Sequence, residues 1–359
     1  VRFRALVSEA YRDVVSGTSR TVTLWLALTT ILLALTIADT ATTDQLLSSA
    51  RRFQASGAAT TTLSAAGAID GSACDALTAV PGIKAAGALR NVDSTLTLAV
   101  LPGTPVPMFE VSTTFVRVLD ARPTGGGGVY LPDDVLQAIG DTTPPAWIET
   151  EQGRTSVAGS YSYPADGRRA GFGWAALLPS APTKPFDECW VTAWPQVTAI
   201  NQLLLNTLTP QAGTTIDAAS VQISQLNIRL GYSFTGAETY RHRATLLAPL
   251  IAALAGLLVA VVGIRLRRVE LAARLHDGAR HPDLHWMLLL ETASWAVPSF
   301  LTTVGTGTLT AIHAGPPDEG SLLAATTGTA LAGVFGAMLG TVTAMSRIRE
   351  SLLFRYFKD

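Results

Sequence analysis

Residues 244–264 read ATLLAPLIAALAGLLVAVVGI, and none of these 21 side chains is charged. The chain turns abruptly polar over 265–291, RLRRVELAARLHDGARHPDLHWMLLLE, and a second uncharged run, TASWAVPSFLTTVGTGTLTAI, fills 292–312. Helical runs of about 20 apolar residues match the hydrocarbon thickness of a bilayer. Two further uncharged runs lie outside this pair, at 21–38 and 320–346. Over the 359 residues, 48% are hydrophobic and only 15% are charged, well short of the charge carried by an ordinary soluble domain. Four runs of this kind exclude a simple soluble protein.

Charge distribution orients the four spans. With the N-terminus inside, segments 1–20, 265–291 and 347–359 together hold 13 Arg/Lys against 8 Asp/Glu, whereas the long segment 39–243 holds 13 against 17. The short segment 313–319 adds two acids. A basic excess confined to one side is the positive-inside pattern, and it assigns both ends of the chain to the cytoplasm. Arginine outnumbers lysine 23 to 3, the usage of a GC-rich bacterial genome, so the expected location is a bacterial cytoplasmic membrane. Residues 1–20 carry six charges and no clear small-x-small cleavage site follows the apolar run, so the segment reads as an uncleaved anchor.

The expected fold is therefore a membrane protein of four transmembrane helices, with a large α+β extracytoplasmic domain inserted between helices 1 and 2. Residues 1–20 form a cytoplasmic amphipathic helix, with Phe3, Leu6, Val7, Ala10, Tyr11 and Val14 at helical spacing. The spans are 21–38, 244–264, 292–312 and 320–346. The extracytoplasmic domain takes 39–243, the cytoplasmic connection 265–291, the external loop 313–319 and the cytoplasmic tail 347–359. Thr- and Ala-rich sequence to about Ser56 continues the first span as a helix. Within the large domain, 95–100, 108–119 and 154–163 read as strands, 132–139 as a helix opened by Pro132 and two acids, and 192–207 as a helix begun after Pro195.

Cys74 and Cys189 both fall in the large external segment. That placement fits a disulfide in an oxidising compartment, closing about 116 residues and worth ~4–5 kcal/mol in the chain-entropy account; two buried free thiols are the other reading. In the last span, Gly333, Gly336 and Gly340 sit among Ala and Thr, small residues that let helices pack closely, with Gly336 and Gly340 in small-xxx-small register. No Asp, Glu, Lys, Arg or His interrupts any of the four runs, which argues against a proton- or ion-coupled carrier.

The polar connection carries the most information. Leu271, Leu275 and Ala279 share one helical face, Glu270 and Arg274 stand i, i+4 on another, and Gly278 follows as a helix stop. Arg265, Arg267 and Arg268 lie where the chain leaves the membrane and suit anionic headgroups. Arg268-x-Glu270, Arg274, Gly278-Ala279 and the Leu288–Glu291 run entering a span together resemble the cytoplasmic helix region of MacB/FtsX-type (type VII) ABC transporter permeases. Asp277 stands where that pattern usually has Leu. Residues 74–83, CDALTAVPGI, also resemble the helix followed by Pro-Gly-Ile near the start of that family's periplasmic domain.

The resemblance implies a permease subunit. It would work with a cytoplasmic ABC ATPase subunit and with a second permease copy or a paralogous permease, with an extracellular lipoprotein or hydrolase as a further partner. It implies that Glu270, Arg274, Leu275, Gly278 and Ala279 couple ATP hydrolysis to export or extraction of a peptide, lipid-linked or hydrophobic substrate by mechanotransmission. An FtsX-like transmitter regulating a cell-wall hydrolase is the alternative. The chain lacks G-x-x-x-x-G-K-[ST], so ATP and Mg would be bound by the partner and the chain itself would carry no cofactor and no catalytic residue.

Other chemistry finds little support. There is no HExxH and no G-x-S-x-G, and Asp133, Asp134, Glu149 and Glu151 are explained by a helix start and a solvated hairpin. His276, His281 and His285 lack a cysteine partner, so no metal site is expected. The arginines track the membrane boundary and the large domain is acidic, which argues against a nucleic-acid interface. Trp147, Trp174, Trp190 and Trp194 suit a domain core better than a substrate surface.

Overall fold

The computed structural model of the chain describes residues 3–209, 220–314 and 319–348; most of the expected external loop 313–319 and tail 347–359 lies outside them. Contacts divide the chain into two units, one made of Ser49–Thr235 and the other of helices contributed from both sides of it. The helical unit begins with α1 (Phe3–Val15) and the first part of α2 (Thr21–Ala55). Helix α2 is 35 residues long, so the apolar run 21–38 continues without a break into the Thr/Ala-rich sequence that follows.

Ser49–Thr235 is built on one mixed sheet. Its elements are β1 (Thr60–Ile69), α3 (Gly71–Ala76), β2 (Ile83–Leu96), β3 (Val106–Val111), β4 (Arg122–Pro123), β5 (Val129–Pro132) and α4 (Asp133–Ala138). There follow β6 (Trp147–Thr150), β7 (Gly153–Tyr161), β8 (Ala176–Pro179), β9 (Phe186–Ala193), α5 (Ile200–Leu205) and β10 (Gln222–Gln225). The strand order is β10-β1-β9-β2-β3-β8-β5-β7-β4, with β6 paired to β7. The β3–β8 and β5–β7 pairs are parallel and the others antiparallel. Strand β9 lies between β1 and β2, and it supplies the buried Phe186, Cys189, Trp190 and Val191.

Helix α3 starts at Asp70, whose carboxylate accepts from the backbone N–H of Ser72 at 2.8 Å and Ala73 at 3.3 Å, the bonding of an N-cap. That cap presents Cys74 to β9, and Cys74 and Cys189 form a disulfide within a core that includes Leu63, Ile69 and Phe186. The Asp75 carboxylate accepts from Ser112 Oγ and Thr114 Oγ1, both at 2.5 Å, and so ties α3 to the turn after β3.

The strands differ from sequence expectation in informative ways. Of the expected 95–100 strand, Thr95–Leu96 form the end of β2 and Leu98 makes an isolated bridge to Thr150 of β6. Strand β2 is read poorly because IKAAGALRNVDSTL is rich in Ala and Gly; pairing with β9 on one side and β3 on the other makes it a strand. The expected strand 108–119 stops at Val111, where Ser112 turns the chain into a 3-10 turn at Phe115–Arg117. The helix expected from 192 begins only at Ile200, because Thr192 and Ala193 complete β9 and Trp194–Pro195 turns the chain.

After α6 (Gly236–Arg241) the helical unit resumes with α7 (Ala248–Arg265), α8 (Arg268–His276), α9 (His281–Ala314) and α10 (Glu319–Met345). Among the described residues, four helices are long and apolar enough to cross a membrane: α2, the stretch ending in α7, α9 and α10. The mixed-sheet unit is thus inserted between the first and the second of them. Helices α7 and α10 approach so closely that a Cβ on Gly336 would collide with the Ala253 carbonyl, and one on Gly340 would lie 2.5 Å from the Leu257 carbonyl oxygen. Gly333 instead faces α2, where its Cβ would stand 2.6 Å from Leu32 Cδ2. Hydroxyl pairs add specific links: Thr29 donates to Ser299 at 2.9 Å between α2 and α9, and Thr292 and Thr341 bond at 2.7 Å between α9 and α10. On the outside, Leu250, Leu254, Leu258 and Val262 form an exposed i, i+4 stripe along α7, and Leu331, Phe335 and Leu339 form one along α10.

Candidate functional site

Helix α8 is a nine-residue helix set between α7 and α9, and its sequence explains its two faces. Leu271, Ala272 and Leu275 are buried, packed in a cluster with Ile264, Leu284, Met287, Leu288 and Met345. Ala10 of α1 joins the same cluster. Other residues of α1 differ in their burial. Ala10 and Asp13 are buried against the bundle, while Val7, Tyr11 and Val15 are exposed.

Charged residues cross this junction between three helices. Arg267, which sits just before α8, donates from Nε and Nη2 to Glu270 at 3.0 and 2.9 Å, from Nη2 to Asp13 of α1 at 3.3 Å, and from Nη1 to Glu291 of α9. Arg274 Nη2 donates to both oxygens of Asp13, at 3.1 and 2.9 Å, and to Glu270 at 2.9 Å; its Nη1 lies 3.4 Å from Glu9. Arg267, Asp13 and Glu291 are buried, and Arg274 and Glu270 are half-buried. Two guanidinium forks thus hold three inner carboxylates, the planar multi-donor geometry that suits arginine and not lysine.

This corrects the expectation for Arg267. It does not reach outward to headgroups; its side chain is 8% exposed and fully engaged by carboxylates. Arg265, one step earlier, is exposed. Glu270 and Arg274 do pair at i, i+4, but they do so facing α1 as well as each other. Sequence reasoning missed Asp13, and it placed Glu291 in the run entering a span without pairing it to Arg267. The available signal was an acid on the inward side of an amphipathic helix and another at the mouth of an apolar run.

Helix α8 ends as its sequence suggests. Gly278 has φ +92°, a conformation an L side chain rarely takes, and its N–H bonds the Leu275 carbonyl while the Ala279 N–H bonds the Arg274 carbonyl. That pair of bonds is a Schellman stop. Beyond it lies an open cleft of about 530 Å³, lined by Glu9, Arg274, Asp277, Gly278, Ala279 and Arg280 among others. Gly278 and Ala279 are exposed on it, whereas Leu275 belongs to the core beneath. Of the histidines, His285 directs Nδ1 to the His281 carbonyl at 2.7 Å.

Comparison with known proteins gives one kind of result. No protein-family model matches the chain. No curated protein matches it either. Among solved structures, the chain is similar to the periplasmic region of MacB from Actinobacillus actinomycetemcomitans, at 13% identity and a TM-score of 0.35, covering 47% of this chain and 89% of that one. It is also similar to the extracellular domain of the noncanonic ABC-type transporter YknZ from Gram-positive bacteria, at 13% identity and a TM-score of 0.31, covering 46% of this chain and 99% of that one.

Proposed function

We propose that this chain is the membrane-spanning permease subunit of an ATP-driven complex, with α1, α8 and the chain ends on the cytoplasmic side and the mixed-sheet unit outside. ATP and Mg are bound by a separate ABC ATPase subunit, which docks on the cleft at the end of α8. A second permease, identical or paralogous, completes the assembly. The complex exports or extracts a peptide, lipid-linked or hydrophobic substrate.

The observation that carries this reading is the ionic junction around α8. A short helix meant only to connect two spans needs no buried guanidinium. Here Arg267 and Arg274 bind α8 to α1 and Arg267 binds it to α9, so a displacement at the exposed end of α8 is passed to the helices it is tied to. The hydrophobic underside supports the same function, since close-packed side chains transmit strain. The basic excess of the segments at this end supports its cytoplasmic placement.

The test is co-expression of the full chain with the ABC ATPase encoded beside it, followed by co-elution from detergent and measurement of ATP hydrolysis. Ala279→Trp places bulk in the cleft without forcing a side chain into the left-handed conformation of Gly278. It is expected to weaken assembly by at least about tenfold, as truncating or blocking an interface centre does, and to leave thermal unfolding of the chain unchanged. An ATPase that never co-elutes, or one that binds the variant as well as the parent, overturns the proposal.

A further inference from the structure

The unit Ser49–Thr235 belongs to an acidic stretch, yet five of its basic residues meet around one cleft. Arg51 comes from α2, Lys84 from β2, Arg117 from the 3-10 turn after β3, Arg122 from β4 and Arg168 from the loop after β7. Asp120 is the acid on the same lining. The cleft measures about 670 Å³, within the size range of small-molecule sites. Its floor includes Thr60 and Thr192, whose hydroxyls bond each other at 2.8 Å. We propose that this cleft binds a small molecule through a phosphate group, either a free phosphate ester or the head of an anionic lipid. The inference is independent of the permease reading, since it concerns a different unit and needs no ATPase.

Three observations favour an anion over a structural cause. The cations arrive from five separate elements, so no single helix or strand pattern gathers them. Two of them are already oriented by carboxylates: Arg168 by Asp166, with Nη2 at 3.0 Å from Oδ2, and Arg122 by Asp133. Arg168 Nη2 also donates to the Ala55 carbonyl at 2.6 Å. Those ion pairs hold the guanidiniums in place, as supporting contacts do in preorganised sites. Among the described residues, Lys84 and Arg117 form no ion pair with a carboxylate, unlike Arg122 and Arg168. Lys84 spends a donor only on the neutral Gln54 Oε1, at 2.7 Å, and Arg117 is exposed on the lining. A concave site of one sign concentrates its field on a counter-ion, and arginine forks with nearby hydroxyls match the oxygens of a phosphate.

The test uses the full chain in detergent, titrated with pyrophosphate at low salt and, separately, with mixed micelles containing either phosphatidylglycerol or phosphatidylcholine. Saturable binding of pyrophosphate identifies a free phosphate ester as ligand; binding of phosphatidylglycerol micelles without phosphatidylcholine binding identifies a lipid head. In either case the double variant Lys84→Gln, Arg117→Gln should weaken binding about tenfold or more, the effect of losing charge-assisted bonds. Lys84→Arg with Arg117→Lys should retain it, and Arg154→Gln, on the exposed β6–β7 hairpin, should leave it unchanged. Absence of binding by every phosphate probe overturns the proposal. So does binding that the double variant does not weaken, or that Arg154→Gln weakens equally.

Discussion

Arg267 is the residue on which three helices converge, through Asp13, Glu270 and Glu291. Its worth lies less in the net energy of the pairs than in what its loss would leave behind, namely buried carboxylates without a counter-charge. Arg267→Ala should therefore destabilise the helical unit by about 3–5 kcal/mol, read by thermal unfolding in detergent. Arg267→Lys should recover only part of that loss, because an ammonium cannot serve three acceptors through a fork. An alanine variant as stable as the parent would remove the junction from the account. A second residue-scale prediction concerns Tyr161. Its hydroxyl is buried and donates to the Phe172 carbonyl at 2.8 Å and the Ala175 carbonyl at 2.6 Å. Burial first, then the nearby Tyr163 and Asp134, raise its pKa well above 10.0. The sign follows: the folded state keeps a proton that the unfolded state releases near pH 10, so the contribution is complete below that pH and is lost as pH rises beyond it. Tyr163, raised to about 12 chiefly by burial, behaves alike. Tyr161→Phe should weaken the sheet unit near neutrality and flatten the decline of its stability above pH 10, measured by denaturant unfolding across that range. An unchanged alkaline slope would contradict the assignment.

At the scale of elements, the α7–α10 pair makes the sharpest prediction. Gly336 faces the Ala253 backbone with no space for a Cβ, whereas Gly328, on the same helix, has nothing within 4 Å. Gly336→Val must push α10 away from α7, at a cost of about 1–3 kcal/mol from overpacking; Gly328→Ala should stay within about 0.5 kcal/mol of the parent. Equal tolerance at both positions in a detergent unfolding assay would show that the helices do not pack this way. The contrast also shows what was legible from sequence. The four apolar helices, the extension of α2 beyond residue 38 and the stop at Gly278 are written locally, in uncharged runs, in Thr/Ala composition and in one glycine after an amphipathic turn. The helix at 133–138 is equally local, opened by Pro132 and two acids. Strand β2 and the true start of α5 were not legible, because sheet neighbours decide them. The junction was half legible: Glu270 and Arg274 lie four residues apart, but Asp13 pairs with Arg267 and Arg274 from more than 250 positions away. No periodicity records a partner at that separation, so Arg267 looked like a headgroup arginine.

The whole molecule consists of two units with different means of holding together. The helical unit relies on glycine-mediated contacts, hydroxyl pairs and buried ion pairs, among them the junction at Arg267 and the Arg243–Asp39 pair at 3.1 Å. The unit Ser49–Thr235 relies on a sheet with a covalent tie, the bridge between Cys74 of α3 and Cys189 of β9, whose sequence separation is 115. Cross-linking across so long a loop removes much of the unfolded chain's freedom, a contribution of about 4–5 kcal/mol in the chain-entropy account. Both sulfurs belong to residues with no exposed surface, so a mild reductant has no access until the unit opens. Calorimetry of the full chain in detergent should then resolve two transitions. The double variant Cys74→Ala, Cys189→Ala should lower only the one belonging to the sheet unit, and the parent should reach the same position only after reduction in denaturant. The helical transition should stay in place, since Cys74 and Cys189 pack within the core of the sheet unit. Both transitions moving together would mean that the units fold as one cooperative body, and the separate roles proposed for the ionic junction and the basic cleft would then have to be re-examined as a single coupled system.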